Sequence, residues 1–266
     1  MPSLQRIVSW MLIAVTVMIA TAAADDKALT SAPHQDVDAI RVLVFSRTQG
    51  YRHASIPDGI AMMGRLAERH HARLRCTEDA GMFTEDALAP FNVIVFLNTT
   101  GDVLNDEQQA ALRLHLEGGA GFVGIHSASD TEYDWPWYGE LVGAYFKGHP
   151  PVQPATMNVE SDVHPSTSHL AATWARTDEW YDFRANPRDD VTVLLTVDES
   201  TYAGGGMGED HPISWCHDRL GIRSFYTAIG HTSASYEEPA FQRHVWGGIA
   251  WAAGTSGRPP ASQPHR

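Results

Sequence analysis

Gly121-Phe122-Val123-Gly124-Ile125-His126 is a continuous apolar run that ends on an imidazole. Its length and composition predict a strand buried on both faces, which delivers His126 at its carboxyl end. Upstream, residues 105–117 start on a polar cap, Asn105, and stop at Gly118-Gly119, the punctuation of a helix. Val93-Ile94-Val95-Phe96-Leu97 comes before that helix as another buried strand, and residues 72–76 offer a shorter one. At the front, Ile40-Arg41-Val42-Leu43-Val44-Phe45 reads as the first strand, followed by a loop over residues 46–55. From Ser55, a candidate N-cap, Ile60, Met63, Leu66 and Ala67 recur at helical spacing, with Pro57 in the first turn. Apolar strands alternating with amphipathic helices imply a mostly parallel sheet covered on both faces.

Beyond His126 the pattern changes. Residues 191–197, 212–215 and 222–229 read as neighbouring strands joined by turns such as His217-Asp218-Arg219-Leu220-Gly221, so the sheet is expected to continue in mixed orientation. Residues 239–252, with Phe241, Val245 and Ile249 on one face, make a closing helix. No repeat or linker interrupts residues 39–254, which are read as one domain.

Composition narrows the function classes. The 266 residues are 43% hydrophobic and 19% charged, enough apolar content for one sizeable core. Nineteen Lys and Arg against 32 Asp and Glu give a net charge of -13, which disfavours nucleic acid, anionic membranes and polyanionic substrates. Residues 1–24 carry Arg6, an apolar run over 7–20 and then Thr21-Ala22-Ala23-Ala24, the layout of a signal peptide cleaved after Ala24. That run is shorter than the ~20 residues a spanning helix needs. The mature protein is therefore expected to be secreted or periplasmic and off the membrane. Residues 25–38 and 255–266 lack any pattern and are expected to be loosely ordered. Cys76 and Cys216, outside any CxxC or zinc spacing, read as two unpaired buried thiols.

In open α/β sheets ligands sit at the carboxyl ends of the strands. Three of the 14 histidines fall there: His53 after the first strand, His126, and His231 after residues 225–230. His70, His71, His115 and His244 lie on helices and read as solvated. His149-Pro150 and His211-Pro212 read as loop-to-strand entries, because a residue before proline is pushed to extended geometry, with lining of the pocket as the alternative for either. Asp178-Glu179 stands before Trp180-Tyr181, either as a helix start or as a carboxylate pair beside aromatic rings that bind sugar hydroxyls. Trp135, Trp137 and Trp180 are candidate carbohydrate platforms, and Trp215 a candidate lining residue. Gly204-Gly205-Gly206-Met207-Gly208 lacks the Lys-Ser/Thr pair of a phosphate loop and reads as a mobile loop near the site. No GxGxxG follows the first strand, so neither a nucleotide nor a flavin is expected.

Seven stretches, in this order and spacing, resemble the ThuA-like proteins, named from trehalose utilisation. They are Gly50-Tyr51-Arg52-His53, Gly124-Ile125-His126-Ser127-Ala128, residues 141–150, Asp178-Glu179-Trp180-Tyr181, Asn186-Pro187-Arg188, His211-Pro212-Ile213-Ser214-Trp215 and residues 225–232. The resemblance spans residues 41–254. It implies a flavodoxin-like three-layer α/β sandwich, related to class I glutamine amidotransferases, with a mostly parallel central sheet and helices on both faces. It also implies that Gly124 to Ala128 occupies the place of the amidotransferase nucleophile elbow, with His126 where that pattern has Cys. Without a thiolate the acyl-thioester route to glutamine hydrolysis is closed. Ser127, one residue from the tip of the turn, is a poor substitute.

For function, the resemblance implies processing of glycosides or disaccharides, in particular 3-keto sugars supplied by a partner oxidoreductase. Two mechanisms fit the residues. In one, His126 and His231 act as base and acid, with Glu179 or Asp178 orienting one of them. In the other, some of His53, His126, His149 and His231 hold a divalent metal, zinc first among the candidates. Ser127, Tyr181, Trp180, His149 and His53 complete the candidate substrate contacts. A metal-dependent hydrolase and a non-catalytic sugar-binding or sensing module remain as alternatives.

Overall fold

The computed structural model describes residues 39–255, which belong to one compact unit. The export signal expected over 1–24 and the segment 25–38 lie outside the described residues, as does the tail beyond Thr255. None of the described helices is long and apolar enough to cross a membrane.

The first half is a repeating strand–helix unit. Strands β1 (Arg41–Phe45), β2 (Arg73–Thr77), β3 (Val93–Leu97) and β4 (Gly121–Ile125) pair in parallel in the order β2-β1-β3-β4. β3 and β4 are wholly buried, as continuous apolar runs require when both faces are covered. Helix α1 (Ile56–Arg69) buries Met62, Met63 and Leu66, and α3 (Asp106–Glu117) buries Leu112 and Leu116. Asn105 caps α3 through a capping box with Gln108. Ser55, by contrast, makes no capping bond. Its hydroxyl instead lies 3.5 Å from the Gly230 carbonyl and accepts from Asn98 Nδ2 at 3.3 Å, tying the start of α1 to the far half of the chain.

The second half adds β11 (Ser224–Thr227) in parallel beside β4, then β10 (Pro212–His217), β9 (Thr192–Asp198), β6 (Gln153–Val159) and β7 (Thr173–Asp178), each antiparallel to its neighbour. The result is one mixed nine-stranded sheet. β5 (Phe146–Gly148) and β8 (Asp182–Phe183) form a separate two-stranded ribbon. Short helices α2 (Glu85–Leu88), α4 (Pro136–Val142) and α5 (Ser233–Glu237) fill the connections, and α6 (Pro239–Ala252) closes the fold with Phe241, Val245 and Ile249 buried.

Three expectations need correction. His244, expected on a solvated helix face, is wholly buried, with its ring nitrogens facing the Ser166 carbonyl at 2.9 Å and the Ser214 hydroxyl at 3.3 Å. α6 is enclosed on more than one face, so its polar residue had to find internal partners. His115 is half-buried rather than solvated. Both cysteines are unpaired, but only Cys216 is buried; Cys76 sits on β2, at the sheet's edge, and is half-exposed.

Candidate active site

Strand direction assembles the site. β1, β3, β4 and β11 run in parallel, so the loops after them emerge along one edge of the sheet. His53, His126 and His231 come from three of those loops. The antiparallel succession β11, β10, β9, β6, β7 returns β7 to the same direction, so its last residue, Asp178, and then Glu179 point to that edge as well. In a flat sheet, strands four places apart would be about 19 Å distant. Yet Asp178 accepts from the backbone N–H groups of Gly230 and His231 at 3.1 and 3.0 Å, so the antiparallel half curls back over the parallel half.

His126 sits on the turn out of β4 with φ of +52°, a left-handed conformation that a non-glycine residue holds only when its surroundings fix it. Its carbonyl accepts from the Tyr226 hydroxyl at 2.7 Å, and its Nδ1 lies 2.7 Å from the Ala228 carbonyl. Gly124 is required two residues earlier, because a Cβ there would come within 2.9 Å of the Tyr226 ring. A carbonyl only accepts, so Nδ1 carries the proton and Nε2 presents a lone pair.

That lone pair faces a cluster. His126 Nε2 lies 3.1 Å from His53 Nε2, 3.3 Å from His231 Nδ1, 3.0 Å from the Tyr181 hydroxyl and 3.6 Å from Glu179 Oε2. His231 Nδ1 is 2.9 Å from the same Glu179 oxygen. The other carboxylate oxygen, Oε1, is 3.0 Å from His149 Nδ1. Burial, reinforced by the adjacent His126 and His231, pushes His53 down to about 3 and keeps it neutral. Burial alone would raise Glu179, but the adjacent His126 and His231 outweigh it and hold the carboxyl at about 2. Glu179 in turn raises His231 against the opposing effect of burial.

His53, His126, Glu179 and His231 each offer one ligand atom within 4.8 Å of the others. Four donors about 2.0 Å from a common zinc ion lie about 3.3 Å from one another. The separations His231–Glu179, His126–His53, His126–His231 and His126–Glu179, at 2.9, 3.1, 3.3 and 3.6 Å, scatter around that edge length. Three imidazoles and a carboxylate are also a zinc-type donor set. The residues present therefore fit a divalent cation.

A family model described as trehalose utilisation, ThuA, matches residues 41–252. The chain belongs to the ThuA family. Among solved structures, a protein described as ThuA-like from Bacteroides uniformis has a TM-score of 0.70 at 26% identity, over 80% of this chain and 91% of that one. A second, from Parabacteroides merdae, has a TM-score of 0.69 at 20% identity, over 84% and 94%. A β-galactosidase from Bacillus circulans sp. alkalophilus shares the fold alone, with a TM-score of 0.54 and 9% identity over 82% of this chain and 31% of its own. No curated protein matches.

Within this ThuA domain the other candidate residues separate into three groups. Tyr181 and His149 border the cluster, and their rings stack with centroids 5.8 Å apart. Asp178 and Ser127 stand behind it. Asp178, wholly buried, spends both oxygens on Gly230, His231, Ser235 and Arg176. The Ser127 hydroxyl, 3.4 Å from His53 Nδ1, faces the back of that ring. Trp180 and Trp215 are corrected out of the site. Both are fully buried, with indole N–H groups donating to the Gln153 and Val142 carbonyls at 2.9 and 2.8 Å, so no ring face is open to a sugar. Trp135 and Trp137 stack on each other, centroids 4.9 Å apart.

Two features were not foreseen. His211 is buried, with Nε2 2.8 Å from the Tyr181 carbonyl and Nδ1 2.9 Å from Glu199, and so braces the segment between β7 and β8 that carries Tyr181. The glycine loop 204–208 is tied down rather than free: Gly206 N–H donates to Asp182 and Met207 N–H to Glu199. A Cβ on Gly206 would come within 2.6 Å of the Asp182 carboxylate, which accounts for glycine there.

Proposed function

We propose that this is an exported enzyme that cleaves a keto-glycoside, a lyase acting on a sugar already oxidised at C3, with a divalent cation held by His53, His126, His231 and Glu179. The observation that carries the reading is the convergence of four metal-type donor atoms, His126 Nε2 among them, within 4.8 Å of one another. When bound, the cation would polarise the sugar's carbonyl and so acidify the neighbouring C–H.

The chain's own residues handle the proton. With His126 and His231 engaged in the cluster, His149 is the imidazole left free to exchange protons, its side chain 38% exposed. Its Nδ1 lies 3.0 Å from both Glu179 Oε1 and the Pro150 carbonyl, so Nδ1 bears the proton and Nε2 is the basic nitrogen. His149 takes the proton from C2, the C–H electron pair forms the C1–C2 double bond, and the C1–O bond breaks. The departing alkoxide takes that proton from the His149 imidazolium and leaves as the alcohol, which returns His149 to its starting state. The sugar ring is left as an enone, which water can add to afterwards. A pre-existing ketone is required, so a separate oxidoreductase must supply the substrate. The family name, trehalose utilisation, supports a carbohydrate substrate.

The test is metal content and turnover measured together on wild type, His126→Ala, His231→Ala and His149→Ala. The expected result is near-stoichiometric metal in wild type and His149→Ala, loss of metal in the other two, and loss of 3-keto-glycoside cleavage in all three variants. Metal-free wild type that stays metal-free when zinc, manganese or calcium is offered would overturn the cation. Uncleaved 3-keto-glycosides with loaded protein would overturn the lyase and favour a sugar-binding module.

A further inference from the structure

Among the described residues one aromatic side chain is exposed, Tyr51, at 65%. Single exposed apolar residues are ordinary, so the position of this one has to carry the argument. Its ring meets His53 edge to face, with centroids 4.9 Å apart and planes at 84°. His53 is itself a member of the cluster, its Nε2 3.1 Å from that of His126. Tyr51 therefore stands directly on the rim of the site.

The loop that carries it is not free to fold the ring away. Gln49 N–H donates to the Thr100 carbonyl at 2.7 Å, Gly50 N–H reaches the same residue's hydroxyl at 3.2 Å, and that hydroxyl donates to the Tyr51 carbonyl at 2.9 Å. A Cβ on Gly50 would crowd the Thr100 hydroxyl at 3.3 Å, so glycine permits this close seating. On the other side, Arg52 is paired with Glu78 at 2.7 Å. A backbone pinned through Thr100 presents the ring to solvent beside buried polar donors, the combination with which pockets orient a ligand. The four tryptophans nearest in kind, Trp135, Trp137, Trp180 and Trp215, are stacked together or buried and do not serve.

We propose that Tyr51 is the platform on which the ring of a pyranoside substrate lies, seated over His53 so that its carbonyl carbon faces the His126 and Glu179 side. An aromatic face accepts the C–H groups that line one side of a pyranose, whereas the imidazoles and carboxylate take its oxygens. The substrate class this selects is cyclic: a keto-pyranoside in preference to an open-chain hydroxyketone of the same local chemistry. The proposal rests on the reading of the site as one that acts on an oxidised sugar.

Binding is measured by calorimetry on wild type, Tyr51→Ala and Tyr51→Phe, with two probes. One is 1,5-anhydro-3-keto-D-glucitol, a keto-pyranose with no aglycone to lose; the other is acetoin, a hydroxyketone with no ring. Tyr51→Ala is expected to weaken the keto-pyranose about tenfold while acetoin changes less than twofold, and Tyr51→Phe to bind both as wild type does. Equal affinity of wild type and Tyr51→Ala for the keto-pyranose overturns the platform. So does a Tyr51→Phe variant as weak as Tyr51→Ala, or a wild type that does not bind the keto-pyranose. Failure of the lyase reading looks different: the keto-pyranose binds in a Tyr51-dependent way while 3-keto-glycosides are left intact.

Discussion

Two sets of histidines in this protein have surroundings that differ in kind, one in the packed interior and one at the strand ends, where His231 is half-buried. His164, His217 and His244 lie in the packed interior, each with at least one ring nitrogen on a carbonyl or hydroxyl: Ser166 for His164, Leu141 for His217, Ser166 and Ser214 for His244. His53, His126 and His231 instead point nitrogens at one another, around the carboxylate of Glu179. Imidazoles whose partners are backbone and hydroxyl groups hold elements together. Imidazoles that converge on a common point gather ligand-type atoms where one ligand could take them all, an arrangement that holding elements together does not require.

The comparison can be broken most sharply at His126. His126→Ala is expected to lower keto-glycoside cleavage at least a thousandfold and to empty the proposed metal site, with little change in melting temperature, as read by kinetics, metal analysis and circular dichroism. His244→Ala should do the reverse, costing about 2–4 kcal/mol of unfolding free energy in urea while metal content and kcat stay near wild type. If both variants lose activity and stability alike, the division into two groups is wrong.

Asp178→Asn sharpens the boundary of the site. Asp178 holds the backbone of His231 and neutralises the buried Arg176, so its loss should reduce kcat/KM about 10- to 100-fold without altering the ligand set. Recovery of that activity in Asp178→Glu would mark a positioning role. A response in stability alone would not.

The interior group also makes a pH prediction. Burial holds His164 and His217 at about 4 and His244 at about 3, against about 6.5 for an unfolded histidine. Below pH 6.5 the unfolded chain takes up protons that the folded chain refuses, until the folded values near 3 to 4 are reached. Stability is thus complete above that window and falls as pH is lowered through it, by up to about 1.4 kcal/mol per pH unit per histidine. Urea midpoints at pH 7.5 and 5.0 should show the loss, and it should be smaller in His244→Gln.

The smallest effect is expected at Ser127. A hydroxyl that only backs His53 at 3.4 Å should cost less than tenfold in kcat when replaced by alanine. A loss of a thousandfold or more would identify a nucleophile instead.

Much of the frame was legible locally. Strands β3 and β4 and helix α1 read directly from the sequence, since continuous apolar runs and a clean amphipathic period leave little choice. β6 and β7 were not legible. Thr173-Trp174-Ala175-Arg176-Thr177-Asp178 is the sheet's outer strand, largely polar along its length, and its buried Arg176 and Asp178 answer each other instead of joining an apolar pattern. Missing β7 also left Asp178-Glu179 ambiguous between a cap and a site. Tyr51 was quoted within a motif but without a role, because exposure cannot be read from residue type.

The sequence by itself determined the strand–helix alternation, the placing of His53, His126 and His231 at strand ends, and the family. Those follow from periodicity, turn residues and motif order, all of which are local. Only the tertiary structure decided that Glu179 joins the three histidines, that Trp180 and Trp215 are core, and that Asp178 works from behind. Each of these depends on the curl that brings β7 back against the loop after β11, and that curl joins residues 52 and 53 positions apart, which no local pattern encodes.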